Sequence, residues 1–284
     1  MSGCTVAALG LATLTAVGAG CGGSSPSPIT VQAARTYHVA GFGPTTGIKA
    51  GKRTLISFTI VQPDGKPLTS YRHGKGPHNG VDLVIVRTDD SHLLYEDTDI
   101  HPGGTITQPV VFPAPGRYRV VIDAYPQQSG QTAQFNFQLF ETVAVAGSAS
   151  PEAPQSFAAN VTVDGFRFTL TDKPSLRAIQ PTFLTFTVTN PRGKPAVFAP
   201  LRGALAHAIF IRRRSLDYFH THVCPPGAAN CTSRIGGARV TGTSSTPGRL
   251  RVGVLVPIGG TWRLFLICRP DGKVVTAPFT LHVF

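Results

Sequence analysis

Three histidines stand close together in GALAHAIFIRRRSLDYFHTHVCP, residues 203–225. His207 precedes a short apolar run, and His220 and His222 follow the turn after it. Neutral imidazole nitrogens suit copper, zinc and nickel. Whether the three can share one ion depends on the hairpin that carries them. With 212–217 as the turn region, centred between Arg214 and Ser215, His207 lies opposite His222 and His220 opposite Ile209. Opposed residues of an antiparallel pair share a face, as do residues two apart on one strand. All three imidazoles then point the same way. Directly opposed Cβ atoms lie about 4.5–5.5 Å apart and diagonal ones about 7–8 Å. From there the nitrogens can converge on one ion at about 2.0–2.1 Å. A slip of one residue would break the arrangement. The other reading is that these are polar residues at a sheet edge. The only methionine is Met1, so the axial ligand of a blue-copper carrier is missing.

The elements that position these residues are strands. β-Branched and aromatic residues come in short runs such as TLISFTIV, VDLVIVR, YRVVIDAY and FNFQLFETVAV, separated by Gly, Pro, Asn or Asp. No helical period is sustained. The chain also repeats itself. ISFTIVQPDGKP (56–67) aligns without a gap on LTFTVTNPRGKP (184–195), and PGRYRVVIDAYP (115–126) on GGTWRLFLICRP (259–270). Between these anchors, VDLVIVRTDDSHLLYEDTDIHP (81–102) matches the histidine stretch. We therefore expect an all-β chain of two tandem immunoglobulin-like β-sandwich domains from an internal duplication. The expected boundaries are 36–145, a linker over 146–156 (AGSASPEAPQS), and 157–284. A short-strand barrel is the alternative. In the repeat, Asp82, Asp97 and Asp99 take the three histidine positions, where carboxylates would suit calcium, magnesium or no metal. His78, His92 and His101 read as surface histidines.

Only 14% of the 284 residues are charged, while there are 31 Gly and 24 Pro, which suits a turn-rich extracellular β protein. The net charge of +12 is uneven: residues 30–150 carry +1 and residues 151–284 carry +11. A basic domain could favour anionic lipid headgroups, but scattered arginines fit a solvated face better. No nucleic-acid motif accompanies them, so no nucleic-acid partner is expected. The segment 1–20 is apolar, small and uncharged, and CGGSSPSP follows it. This reads as a signal peptide over 1–20 and a flexible tether over 21–35. It resembles a bacterial lipoprotein signal with Cys21 as the lipidated residue. Expected localisation is extracytoplasmic, anchored to the membrane by lipid, with plain secretion as the alternative.

That compartment permits disulfides. Cys224 and Cys231 flank a short PPGAAN loop and are the leading pair; Cys224–Cys268 is the rival. Cys268 shares a strand face with Trp262, Leu264 and Leu266 and reads as core. No G-x-S-x-G, Walker loop, His-Glu-x-x-His or CxxC motif is present, so no enzyme is expected.

FTVTNPRGKPAVFAPLRGALAHAIFIRRRSLDYFHTHVCP resembles secreted bacterial Ig-like domains of the YtkA-like kind. Their pattern runs Gly-Lys-Pro, Leu…Gly-Ala…His, an apolar strand, Tyr-x-His-x-His, and later Pro-Gly-x-Tyr-Arg-x-x-x-Asp. The resemblance covers most of residues 157–284 and, more loosely, 40–145. It implies a metal-ligand role for His207, His220 and His222, with copper as the ion and zinc as the alternative. It also implies a metal-transport membrane protein as partner. The chain departs from the pattern at Val223-Cys224 and through the insertion 224–248. The competing expectation is a structural or protein-interaction lipoprotein that binds no metal.

Overall fold

The structure, a computed structural model, describes residues 36–284 apart from 75, 128–135, 149, 154, 173–174, 229–230, 232–233, 236–237 and 240–241. The leader over 1–20, the tether over 21–35 and the lipidation residue Cys21 lie outside the described residues.

The described chain is all-β and forms two tandem immunoglobulin-like sandwiches. The first module comprises β1 (His38–Gly43), β2 (Ile48–Lys49), β3 (Arg53–Val61), β4 (Val81–Arg87), β5 (Leu93–Asp97), β6 (Asp99–Ile100), β7 (Thr105–Val111), β8 (Gly116–Ala124) and β9 (Phe137–Ala146). The second opens with β10 (Asn160–Val163), β11 (Phe166–Leu170), β12 (Thr182–Thr189), β13 (Phe198–Ala199), β14 (Ala206–Arg212) and β15 (Tyr218–Cys224). It continues with β16 (Arg234–Ile235), β17 (Ala238–Arg239), β18 (Gly242–Thr243), β19 (Arg249–Val254), β20 (Gly260–Pro270) and β21 (Val275–Val283). In the first module the sheet β1-β3-β7-β6 packs on β2-β9-β8-β4-β5. In the second, β10-β11-β12-β19 packs on β13-β20-β14-β15-β18, with β21 also on β20. Among the described residues no helix is long and apolar enough to cross a membrane.

Alternation sets each core. In β3, Ile56, Phe58 and Ile60 turn inward while their neighbours stay partly or fully accessible. Leu184, Phe186 and Val188 of β12 also turn inward, around the fully buried Trp262, while Thr185 between them is covered on the other face. The repeated Pro-x-Gly-Lys-Pro turn folds alike in both copies. Gln62 N–H bonds to Lys66 O at 2.8 Å, and Asn190 N–H to Lys194 O at 2.8 Å. Gly65 and Gly193 sit at φ 85° and 73°, where a side chain would be strained.

Strands β4 and β14 are buried along almost their whole length. Alternation fails there because both faces are covered. Leu83 and Ile85 enter the first module's own core, and Ala206, Ala208 and Phe210 the second's. Their outward neighbours meet between the modules. Val84, Val86 and Val121 pack with Leu201, Ile209, Ile211, Leu216, Phe265 and Ile267 in one cluster. Each such side chain contributes about 1.5–3 kcal/mol when fully buried. The pairing of the modules therefore has a large apolar term that needs no ion. Polar contacts rim it: Arg213 grips Asp90 through Nε at 2.8 Å and Nη2 at 3.0 Å. The segment after β9 stays on the first module, with Glu152 N–H donating to Asp89 Oδ2 at 3.0 Å.

Candidate metal centre

The hairpin β14–β15 has the register that places His207 opposite His222 and Ile209 opposite His220. All three imidazoles project from the outer face of the sheet. That face is not an exposed edge. β20 lies on one side of β14 and β18 beyond β15, and the first module covers the face. His207 is fully buried and His222 is 2% exposed, while His220 keeps some accessible surface.

Ligand nitrogens of His207, His220 and His222 lie within 4.8 Å of one another. His207 Nδ1 and His220 Nε2 are 3.3 Å apart. Two nitrogens sharing an ion at 2.0–2.1 Å and the tetrahedral angle stand about 3.3 Å apart. The tautomer of His207 follows from its other partner. Its Nε2 is 2.9 Å from the Leu201 carbonyl, which can only accept, so Nε2–H donates and Nδ1 offers a lone pair. A turn holds that carbonyl in place. Arg202 and Gly203 have φ of 45° and 77°, and Leu201 and Ala204 exchange backbone bonds of 2.7 and 3.0 Å. His220 Nδ1 is buried without a hydrogen-bond partner.

Burial keeps the imidazoles neutral, because the imidazolium form would lose its hydration. It depresses His207 to about 3, the nearby Arg202 and His78 adding to this and the Leu201 bond opposing it. His220 is pushed well below the ordinary histidine range first by burial and then by His207, His78 and Arg202, and His222 first by burial and then by His220, His207 and His78. Neutral nitrogens are the form that binds metal.

Around the imidazoles stands a ring of tyrosines and carboxyls. Tyr95 packs on His207 and His220 with centroids 4.9 and 5.5 Å away. Its hydroxyl donates to Asp82 Oδ2 at 2.9 Å, and the Arg202 guanidinium lies 4.1 Å from its ring centre. Tyr218, 6.1 Å from the His220 ring, donates to Asp123 Oδ2 at 3.0 Å. Burial, followed by the nearby Asp123 and Asp97, pushes Asp82 well above the carboxylate range. Burial also raises Asp123, against four side-chain hydrogen bonds that favour its ionised form. Beside the cluster a cleft of about 890 Å³ is walled by Asp82, Asp97 and Asp99 with Arg72, Arg202 and Gly203.

Two sequence expectations change. The register β4–β5 sets Asp82 opposite Asp97 and Val84 opposite Tyr95. Compared with His207–His222 and Ile209–His220, Asp97 stands at the His222 position and Tyr95 at the His220 position. Asp99 leaves for the other sheet in β6. His78 is also not a surface histidine. Its Nε2 is buried, its ring lies 4.8 Å from that of His222, and burial with the nearby Arg72 lowers it to about 4. Nothing local in the sequence marks it, since it sits in a loop about 130 residues from its neighbours. His92 and His101 lie elsewhere, bonded to Ser91 Oγ at 2.8 Å and Thr107 Oγ1 at 2.7 Å. Cys224 and Cys231 form a disulfide. Cys268 is a free thiol inside the second core, on the face turned away from the histidines, and burial raises it strongly.

A family described as a domain of unknown function, DUF8832, matches residues 161–284, which hold the three hairpin histidines but not His78. This description differs from the YtkA-like resemblance. No curated protein matches the chain. Among solved structures it is similar to a tetra-tandem repeat in the extending region of a large adhesion protein, at 10% identity and TM-score 0.27 over 87% of this chain and 48% of that one. Invasin, a bacterial integrin-binding protein, matches at 14% identity and TM-score 0.24 over 87% of this chain and 38% of that one. The chain thus spans half or less of these two. Fibronectin(III)-like modules of Clostridium thermocellum CbhA match at 13% identity and TM-score 0.22, over 88% of this chain and 93% of that one.

Proposed function

We propose that the chain is a non-catalytic extracytoplasmic binding protein that holds a transition-metal ion on His207, His220 and His222. Copper is the first choice of ion and zinc the alternative, since imidazole suits both. One observation carries the reading. Three neutral imidazoles converge in a buried place, with one proton already committed to the Leu201 carbonyl. A second-layer bond of that kind is how proteins orient metal-binding histidines. Titration of the full chain with Cu(I), Cu(II) and Zn(II), beside His207→Ala, His220→Ala and His222→Ala, tests it. One equivalent should bind the wild type, and each variant should lose orders of magnitude in affinity. Equal affinity in all four proteins would overturn the site.

The compartment is part of the proposal. The Cys224–Cys231 disulfide is stable outside the reducing cytoplasm, and the apolar 1–20 leader precedes Cys21. We assign Cys21 as the lipid anchor and a metal-transport membrane protein as the partner. Cys21→Ala should release the protein from membranes; a wild type already free in the medium would sink the anchor. A purely structural, metal-free role is the competing reading, supported by the apolar packing that joins the modules without an ion.

A further inference from the structure

The loop between Tyr71 and β4 crosses from the first module onto the histidine face of the second. Glycine sets the distance. A Cβ on Gly203 would lie 2.3 Å from the carbonyl carbon of Gly76, closer than any side chain can come. Two residues further on, His78 arrives with its ring edge-on to His222, the planes at 87° and the centroids 4.8 Å apart. Tyr125 backs it at 5.5 Å. His78 Nε2 is buried and has no hydrogen-bond partner. A buried nitrogen left unpaired is costly and asks for a reason.

We propose that His78 is the fourth ligand, so that one ion is held jointly by both modules. This rests on the three-histidine reading. The spacings around His222 fit it, with His78 standing beside the group of three hairpin nitrogens that lie within 4.8 Å of one another. Four imidazoles set tetrahedrally around an ion at 2.0–2.1 Å have ring centres about 5 Å apart. Measured from His222, the centres of His220, His78 and His207 lie 4.3, 4.8 and 4.9 Å away, and His207 and His220 are 5.4 Å apart. The chemistry is that of four neutral nitrogen donors, suited to Zn(II) or Cu(I). A closed set of four leaves no position for water or substrate. The ion is then stored or structural, and it adds a bond between two modules already joined by apolar packing and polar contacts at its rim.

The test uses the full chain as wild type, His78→Ala, His78→Gln and, as control, His92→Ala. Zn(II) and Cu(I) are titrated against a competing chelator, and metal-edge X-ray absorption counts the first shell. We expect four nitrogens in the wild type and in His92→Ala, and three in the His78 variants. Affinity of the His78 variants should fall at least about 100-fold, the upper end of what an outer-layer change costs. Unchanged circular dichroism of the metal-free proteins separates ligand loss from misfolding, and the glutamine variant serves if alanine does not fold. A wild type that binds with three nitrogens and is matched by His78→Ala overturns this inference and leaves the three-histidine site standing. A wild type that binds neither ion overturns both.

Discussion

Tyr95 and His220 occupy the same place in the two copies of the repeat, and their rings meet across the module interface, 5.5 Å between centroids and 82° between planes. The duplicated sheets face each other through equivalent surfaces: Val84 and Val86 of β4 against Ile209 and Ile211 of β14. What the second module uses as an imidazole, the first supplies as a phenol hydrogen-bonded to Asp82. Tyr95→Phe removes that donor and leaves a buried carboxyl short of a partner, a loss of about 1–3 kcal/mol. Urea unfolding of the metal-free protein measures it, and an unchanged midpoint would mean that the bond contributes nothing.

Gly203 is the contact that admits the His78 loop. Gly203→Val should push Gly76 away and strain a residue at φ 77°. Metal affinity should fall as it does for His78→Ala, although no ligand is touched. A variant that keeps both its stability and its affinity would show that the close approach is dispensable.

Stability of the metal-free protein should rise as pH increases toward about 6.5. His207 and His78, lowered to about 3 and about 4, and His220 and His222 titrate below their unfolded range. A depressed value contributes stability that is present above about 6.5 and lost as pH falls through the folded value, at about 1.4 kcal/mol per pH unit for each proton. Asp82 and Asp123 are raised, so their contribution is present below about 4 and lost as pH rises through their folded values. The four imidazoles outnumber the two opposing carboxyls, so denaturation midpoints should fall steeply from about pH 6.5 toward about 4.5. Asp82→Asn removes one opposing carboxyl and should steepen that fall; an unchanged slope would mean that Asp82 does not titrate against the imidazoles.

Arg213 and Asp90 tie the modules at the rim. Asp90 is buried, and both its oxygens face the guanidinium. Arg213→Ala strands that charge and should cost about 3–5 kcal/mol. Arg213→Ala with Asp90→Ala should recover part of the loss, as a double-mutant cycle on thermal unfolding would read. An additive cycle would mean that the pair is not coupled.

Much of this protein follows from the sequence. Alternation in β3 and β12, the doubled Pro-x-Gly-Lys-Pro turn and the short loop between Cys224 and Cys231 are local features. Local chemistry sets a two-period strand and a tight turn and favours a nearby disulfide, which the structure chose over the Cys224–Cys268 rival. The register that aligns His207 with His222 is local too, set by the turn between them. The Asp99 assignment failed for a related reason. Side chains alternate with a period of two, so a slip of two residues keeps every residue on its face and leaves no trace in the pattern. Only the paired strands show that Tyr95 matches His220. The tertiary structure alone decided the rest. An apolar run such as VDLVIVR reads the same whether its second face meets its own module or another. His78 joins the cluster through a glycine-to-glycine backbone contact between loops far apart in the chain. No spacing rule reaches across that distance, because what brings His78 there is the packing of one folded sheet on another.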